Sequence, residues 1–131
     1  MKGICETCLK DPTSHSFSKL CEKDKVSIFY TKPSEAKKYN DIDGILKHMD
    51  NMLTKHVSYK WAWIFDAEGF EQKHLMELTL TKSIIQLINE KYSSNLEYIH
   101  IKNSNSLIKQ LFNLLGPILG GVSFVGKIKF D

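Results

Sequence analysis

"SYKWAWIFDAEGF", residues Ser58 to Phe70, decides how the chain folds. From Trp61 to Phe65, apolar residues follow one another with no polar residue between them. A strand in which apolar and polar residues alternate has one buried face and one solvated face. A strand that is apolar throughout is typical of parallel sheets, where both faces are buried. Asp66, Glu68 and Gly69 come next, and such residues form tight connections at the carboxyl ends of central strands. The stretch therefore predicts a central parallel strand.

The segments on either side alternate between strand and helix. β-branched and aromatic residues predict strands at "KVSIFYT", "LEYIHIK" and "VGKIKF". Apolar residues at spacings of three and four predict helices after Asp41, from Lys73 to Tyr92, and over "NSLIKQLFNLLGPIL". The order β-α-β-α-β-α-β, with crossovers long enough to hold helices, predicts an α/β fold with a mainly parallel four-stranded sheet and flanking helices.

Composition limits the classes of function. The 131 residues suit one domain with a single core. All 18 basic residues are Lys, and the net charge is only +3. The lysines are scattered without a basic stripe, so nucleic acid is not expected as a partner. No nucleophile elbow, P-loop or dinucleotide-binding glycine pattern occurs, so the sequence predicts a binding protein and not an enzyme.

The apolar segments bear on location. The N-terminus "MKGICETCLK" has no apolar segment of the kind that directs secretion, so a cytoplasmic location is expected. The longest apolar stretch, "LFNLLGPILGGVSFVG", is interrupted by Asn113, Pro117 and glycines. It is shorter than the roughly 20 residues of a membrane-spanning helix. Contact with membranes is therefore expected to be peripheral.

The cysteines are confined to the N-terminal part of the chain. We interpret residues 1–24 as an N-terminal arm and residues 25–131 as the α/β domain. The arm carries Cys5, Cys8, His15 and Cys21. A Cys-x-x-Cys pair followed by two further soft ligands is a pattern of structural zinc sites. The alternative is a loosely ordered arm with reduced thiols, since three cysteines cannot all pair and a reducing cytoplasm disfavours disulfides.

Eight positions of the α/β domain carry a resemblance to a known family. They are, in order, Asp66, Gly69, Tyr92, Asn103, Phe112, Pro117, Lys127 and Ile128. Together they resemble the CRAL-TRIO domain, in which an apolar strand ends in Asp-x-x-Gly, a helix closes on Tyr-Pro, a strand ends in Asn, and an apolar helix with Pro precedes a Lys-Ile strand. The likeness extends from Val26 to Phe130 and resembles, in its first part, the shorter members fused to GTPase-activating modules.

The resemblance implies a small, non-enzymatic module for lipid binding or lipid transfer. Its ligand would be a phospholipid or another hydrophobic molecule, and its partner a lipid or membrane surface. The segment Leu107 to Val125 would correspond to the mobile gate over the pocket. The implied lipid-binding residues are Leu107, Leu111, Phe112, Leu115 and Lys127, with Lys127 near a lipid phosphate. Because apolar residues surround most of this helix, a central core helix is the alternative to a gate.

Two departures from the family pattern affect the expected ligand. The N-terminal helical lobe and the later helices of larger members are not expected here, so the cavity would be shallow, have fewer walls or be completed by a partner. Where phosphatidylinositol-transferring members hold the headgroup, this chain has Glu71-Gln72-Lys73 and Ser93-Ser94, so that specificity is not expected. The alternative function is a protein-interaction scaffold of the same fold without a lipid cavity, which would dock a protein partner.

Overall fold

The structure, a computed structural model, describes residues 17–36 and 41–130. In these ranges the strands are β1 Ser18–Lys23, β2 Val26–Thr31, β3 Lys60–Asp66, β4 Leu96–Lys102 and β5 Ile128–Phe130. The α-helices are α1 Ile42–His56, α2 Gln72–Leu75, α3 Leu78–Leu87 and α4 Ser106–Leu119. A π-helical turn, Ile88–Tyr92, continues α3, and single 3₁₀ turns lie at Pro33–Glu35 and Val125–Lys127.

The strands form one sheet in the order β1-β2-β3-β4-β5. Strands β2 to β5 are parallel, and β1 pairs antiparallel with β2. The predicted α/β class and mainly parallel sheet are confirmed. The predicted number of four strands is wrong, because β1 adds a fifth from the segment we interpreted as an arm. Asp24 and Lys25, both with positive φ, make the tight turn that pairs β1 with β2.

All the crossover helices pack on one face of the sheet. Each crossover moves to the next strand in the same direction, so right-handed connections place their helices on the same side. That face carries the buried Trp61 and Trp63 of β3, beside Phe29 of β2 and Ile99 of β4. On the other face, Ile28 and Ile64 are half-buried and lie outside the core cluster, whereas the small Ala62 is fully buried.

The two tryptophans of β3 fix the strand to its neighbours. Trp61 is fully buried, and its indole N–H donates to the backbone oxygen of Tyr92 at 3.0 Å. The indole of Trp63 donates to the hydroxyl of Thr31 at 2.8 Å. Both buried polar groups are therefore satisfied, as a large aromatic residue in a core requires. The stretch that decides the fold is thus also the centre of the core.

Candidate hydrophobic ligand site

A small cavity lies between the core face of the sheet, α3 and α4. Its volume is about 70 Å³. The lining is apolar except for one threonine, and consists of Trp63, Phe65, Thr81, Ile84, Ile85, Ile88, Ile99, Ile101, Leu111, Phe112, Leu115, Leu119, Phe124 and Ile128. The hydroxyl of Thr81 donates to the backbone oxygen of Glu77 in the preceding turn at 3.3 Å. Within residues 17–36 and 41–130, the lining therefore offers hydrocarbon and no open hydrogen-bonding group.

The structure brings together three of the five predicted lipid-binding residues. Leu111, Phe112 and Leu115 all lie on α4 and line the cavity. Leu107 is half-buried against the core at the start of the helix and is not among the lining residues. The role of these residues in lipid binding stays a prediction.

The fifth predicted residue, Lys127, lies at the amino end of the parallel strands. Its ammonium group donates to the backbone oxygens of Leu96 at 2.7 Å and Ser93 at 3.2 Å. These bonds tie the segment after α4 to the start of β4. Lys129, two residues further along, is exposed, and its ammonium group lies 5.7 Å from the centroid of the Tyr98 ring.

Helix α4 has a buried side and an open side. Ile108, Leu111, Leu115 and Leu119 are buried at the spacing of one helix face. Leu114 on the other side is 55% exposed. Phe130 of β5, whose ring is in edge contact with that of Phe112, is also more than half exposed. Some of the apolar residues of α4 are therefore buried in the core, and others form an open apolar surface.

Both ends of α4 have features suited to a hinge. At the start, Asn103 has a positive φ of 53° and the side chain of Asn105 caps the helix by accepting from the N–H of Ile108 at 3.1 Å. At the end, Pro117 lacks the N–H that would bond to the preceding turn. After Gly120 and Gly121, the side-chain oxygen of Asn89 accepts from the N–H of Ser123 at 3.2 Å. The helix is therefore held at its ends by a few polar contacts.

The Asp-x-x-Gly turn closes the carboxyl end of β3. The carboxylate of Asp66 accepts from the hydroxyl of Tyr30 at 2.8 Å, the side-chain amide of Asn103 at 2.9 Å and the N–H of Glu68 at 3.0 Å. Burial raises the pKa of Asp66, but these hydrogen bonds outweigh it and the pKa is lowered. Burial, followed by the bond to Asp66, raises the pKa of Tyr30 to about 12.

Gly69 completes this turn with a φ of +78°. A Cβ there would lie 2.8 Å from the Cβ of Ser34. The motif thus needs glycine for its backbone and aspartate as an acceptor for three donors. The motif joins β2, β3 and β4 at the carboxyl ends of these strands.

The family assignment follows from comparison with known proteins. The model of the CRAL/TRIO domain matches residues 22–131, which is most of the chain. The chain belongs to the CRAL/TRIO family. Domains of this family bind hydrophobic ligands such as lipids, and the resemblance found in the sequence is confirmed. Among curated proteins, none matches this sequence significantly.

A solved structure shows the same fold. This CRAL/TRIO domain is similar to the crystal structure of Sfh5, with a TM-score of 0.64 and 12% identity. The match covers 88% of this chain and 46% of the Sfh5 chain, so the domain spans less than half of the length of Sfh5. Within residues 17–36 and 41–130 of the domain, none of the helices has the length and apolar character needed to cross a bilayer.

The predicted zinc ligands lie mostly beyond the part of the CRAL/TRIO chain that the structure describes. Cys5, Cys8 and His15 fall outside it. Cys21 is within it, exposed on β1. Among the described residues there is no group of three or more side chains that could hold a metal ion. Zinc binding by the four residues stays a prediction.

Two features of the site could not be recognised from the sequence. His74 is buried, and its Nδ1 atom accepts from the N–H of Glu71 at 2.8 Å in a capping box at the start of α2. The usual signal for such a box is Glu or Gln at this position, not His. Asn89, which holds the segment after α4, lies in a π-helical turn that leaves no periodic mark in the sequence.

Proposed function

We propose that this domain binds the hydrocarbon part of a lipid in the cavity beneath α4, without catalysis. The observation that carries the proposal is an apolar cavity under an amphipathic helix, α4, with a positive φ at Asn103 before it and Pro117 near its end. The volume of about 70 Å³ is far below the roughly 300 to 1,000 Å³ of ligand pockets. Entry of a lipid therefore requires α4 to move away from the sheet.

The surroundings of Asp66 and His74 support a role without catalysis. Asp66 accepts three hydrogen bonds, and His74 is engaged with the backbone at the start of its helix. Burial comes first among the causes that lower the pKa of His74, followed by the charge of Lys73. A catalytic acid or base needs access to a substrate proton. These two groups are instead occupied within the fold.

We propose that the domain associates peripherally with membranes in the cytoplasm, and the open side of α4 supports the membrane contact. Leu114, Val125 and Phe130 are each at least 45% exposed. Large exposed apolar side chains close to a ligand cavity are typical of surfaces that contact membranes or proteins. A membrane would supply the lipid at the place where α4 opens.

Lipid that co-purifies with the protein tests the proposal. We expect organic extraction followed by mass spectrometry to recover a lipid from the wild type. Leu111→Trp should reduce the recovered amount about tenfold or more, because the larger side chain occupies the cavity. Leu114→Trp places the same side chain on the exposed side of α4 and should retain the lipid. Absence of lipid from the wild type, or equal recovery from both variants, would contradict the proposal and favour the scaffold function.

We also propose that Cys5, Cys8, His15 and Cys21 bind one structural zinc ion. Support comes from their spacing in the sequence. Metal analysis of protein expressed with ample zinc should give about one zinc per chain. The double variant Cys5→Ser and Cys8→Ser should lose the metal. A zinc content near zero in the wild type would refute this site.

A further inference from the structure

We infer that the site selects its ligand by the hydrocarbon chain and does not read a phosphate headgroup. The inference rests on the proposed function and narrows its ligand class. Of the residues that the structure describes, 14 line the cavity, and 13 of these are apolar. The remaining one, Thr81, has its hydroxyl bonded to the backbone of its own helix. A phosphate that entered this cavity would lose water without gaining hydrogen bonds.

One of the lysines next to a lining residue in sequence is already engaged, while Lys82, Lys102 and Lys129, which also adjoin lining residues, are exposed. Lys127 precedes the lining residue Ile128, and its half-buried ammonium group donates to the carbonyl oxygens of Leu96 and Ser93. Moving that group to a phosphate would remove a donor from both carbonyls. We therefore assign Lys127 as a positioning residue that holds the segment between α4 and β5 against the start of β4.

Three further polar side chains at this end of the domain also bond within the fold. The side-chain oxygen of Asn89 accepts from the N–H and the hydroxyl of Ser123 at 3.2 and 3.3 Å. The hydroxyl of Ser93 donates to the backbone oxygen of Asn89 at 3.1 Å. These bonds join the π-helical turn to the segment that follows α4. They stabilise the exit of the helix and leave the cavity with dispersion and hydrophobic contacts for recognition.

The ligand class that fits is a lipid whose buried part is hydrocarbon and whose polar end stays in solvent or in the membrane surface. Lipids with the same chains and different headgroups should then bind alike. Exposed lysines such as Lys82 and Lys109 can attract an anionic membrane, but that attraction is weakened by salt. Selection by the hydrocarbon chain of the lipid is not screened by salt in this way.

Competition against a neutral probe tests the inference. The probe is pyrene with an unbranched alkyl chain, which accepts energy from Trp63 in the cavity wall. The competitors are dioctanoylglycerol, dioctanoylphosphatidylcholine and dioctanoylphosphatidic acid, each below its critical micelle concentration and at physiological salt. We expect their inhibition constants to agree within about threefold. A larger preference for any one headgroup would overturn the inference.

Variants of Lys127 and Lys129 distinguish a structural role of Lys127 from contact with a phosphate. Lys127→Met should lower the melting temperature and leave the ratio of the three inhibition constants unchanged, and Lys129→Met should change neither. If Lys127→Met selectively weakened phosphatidic acid, Lys127 would contact the phosphate and the inference would be wrong. The proposed function fails in a different way, since the probe itself would then show no energy transfer from the wild type.

Discussion

Leu115→Glu is expected to unfold the protein, whereas Leu114→Glu is expected to leave it folded. Leu115 is 1% exposed and faces the sheet, while its neighbour is 55% exposed. Burial of a leucine contributes about 1.5 to 3 kcal/mol, and an unpaired charge at a buried position costs several kcal/mol more. The sum reaches the total stability of a typical domain, roughly 5 to 15 kcal/mol. Circular dichroism during thermal unfolding measures the difference.

The same pair of variants tests the open side of α4 as a membrane contact. Leu114→Glu should abolish co-sedimentation with vesicles of phosphatidylcholine and phosphatidylserine, because a carboxylate replaces an exposed apolar side chain. Gln110→Glu is the matched control, since Gln110 is exposed on the same helix and the change in charge is identical. If both variants bound vesicles equally well, the open side would not contact the membrane. If Leu114→Glu unfolded the protein, this side of α4 would be core.

The sequence predicts the parallel part of the sheet well, because runs of apolar and β-branched residues mark these strands clearly. The unbroken apolar run in "KWAWIFD" marks a central strand of a parallel sheet, although the helices cover only one of its faces and Ile64 on the other face is half-buried. Strand β1 was missed because all six residues of "SKLCEK" are exposed, so no apolar alternation marks it. Its pairing depends on the turn at Asp24 and Lys25, two residues that adopt positive φ without the glycine that usually signals it.

The helix predicted from Lys73 to Tyr92 shows the limit of periodicity. Spacings of four continue through Met76, yet the structure divides the segment into α2, α3 and a π-helical turn. Met76 lies at the break and is 73% exposed. A count of apolar spacings cannot detect a change of helix axis, because the side chains on both sides of the break still reach the same core.

The candidate site could be predicted in its apolar part but not in its polar part. Leu111, Phe112 and Leu115 share one helix face, and a face this apolar must be covered. By contrast, nothing in the local sequence shows that the ammonium group of Lys127 reaches carbonyl groups more than 30 residues away. Polar contacts depend on how loops meet in the folded chain, so a residue type alone does not reveal its partner.

Asp66→Ala is expected to destabilise the protein by about 2 to 4 kcal/mol. The change removes the acceptor of three donors that come from β2, the loop after β3 and the end of β4. Hydrogen bonds to a charged group contribute roughly 1.5 to 3 kcal/mol each, and bonds that share one acceptor group are not additive. Urea unfolding at neutral pH measures the loss. Asp43→Asn, which changes an exposed carboxylate in the first turn of α1, should cost less than about 1 kcal/mol.

The pH dependence of the protein's stability provides a second test of the role of Asp66. The pKa of Asp66 is lower in the folded protein than its ordinary value, so the carboxylate stabilises the fold at pH values above its unfolded pKa of about 3.9. This contribution is lost as the pH falls through the folded pKa. The pKa of Asp50 is also lowered, mainly by the hydroxyl of Tyr92, so Asp66→Ala should retain part of the acid sensitivity. The wild type should therefore lose more stability than Asp66→Ala between neutral pH and acid. Equal losses in both proteins would show that the Asp66 carboxylate does not stabilise the turn through its charge.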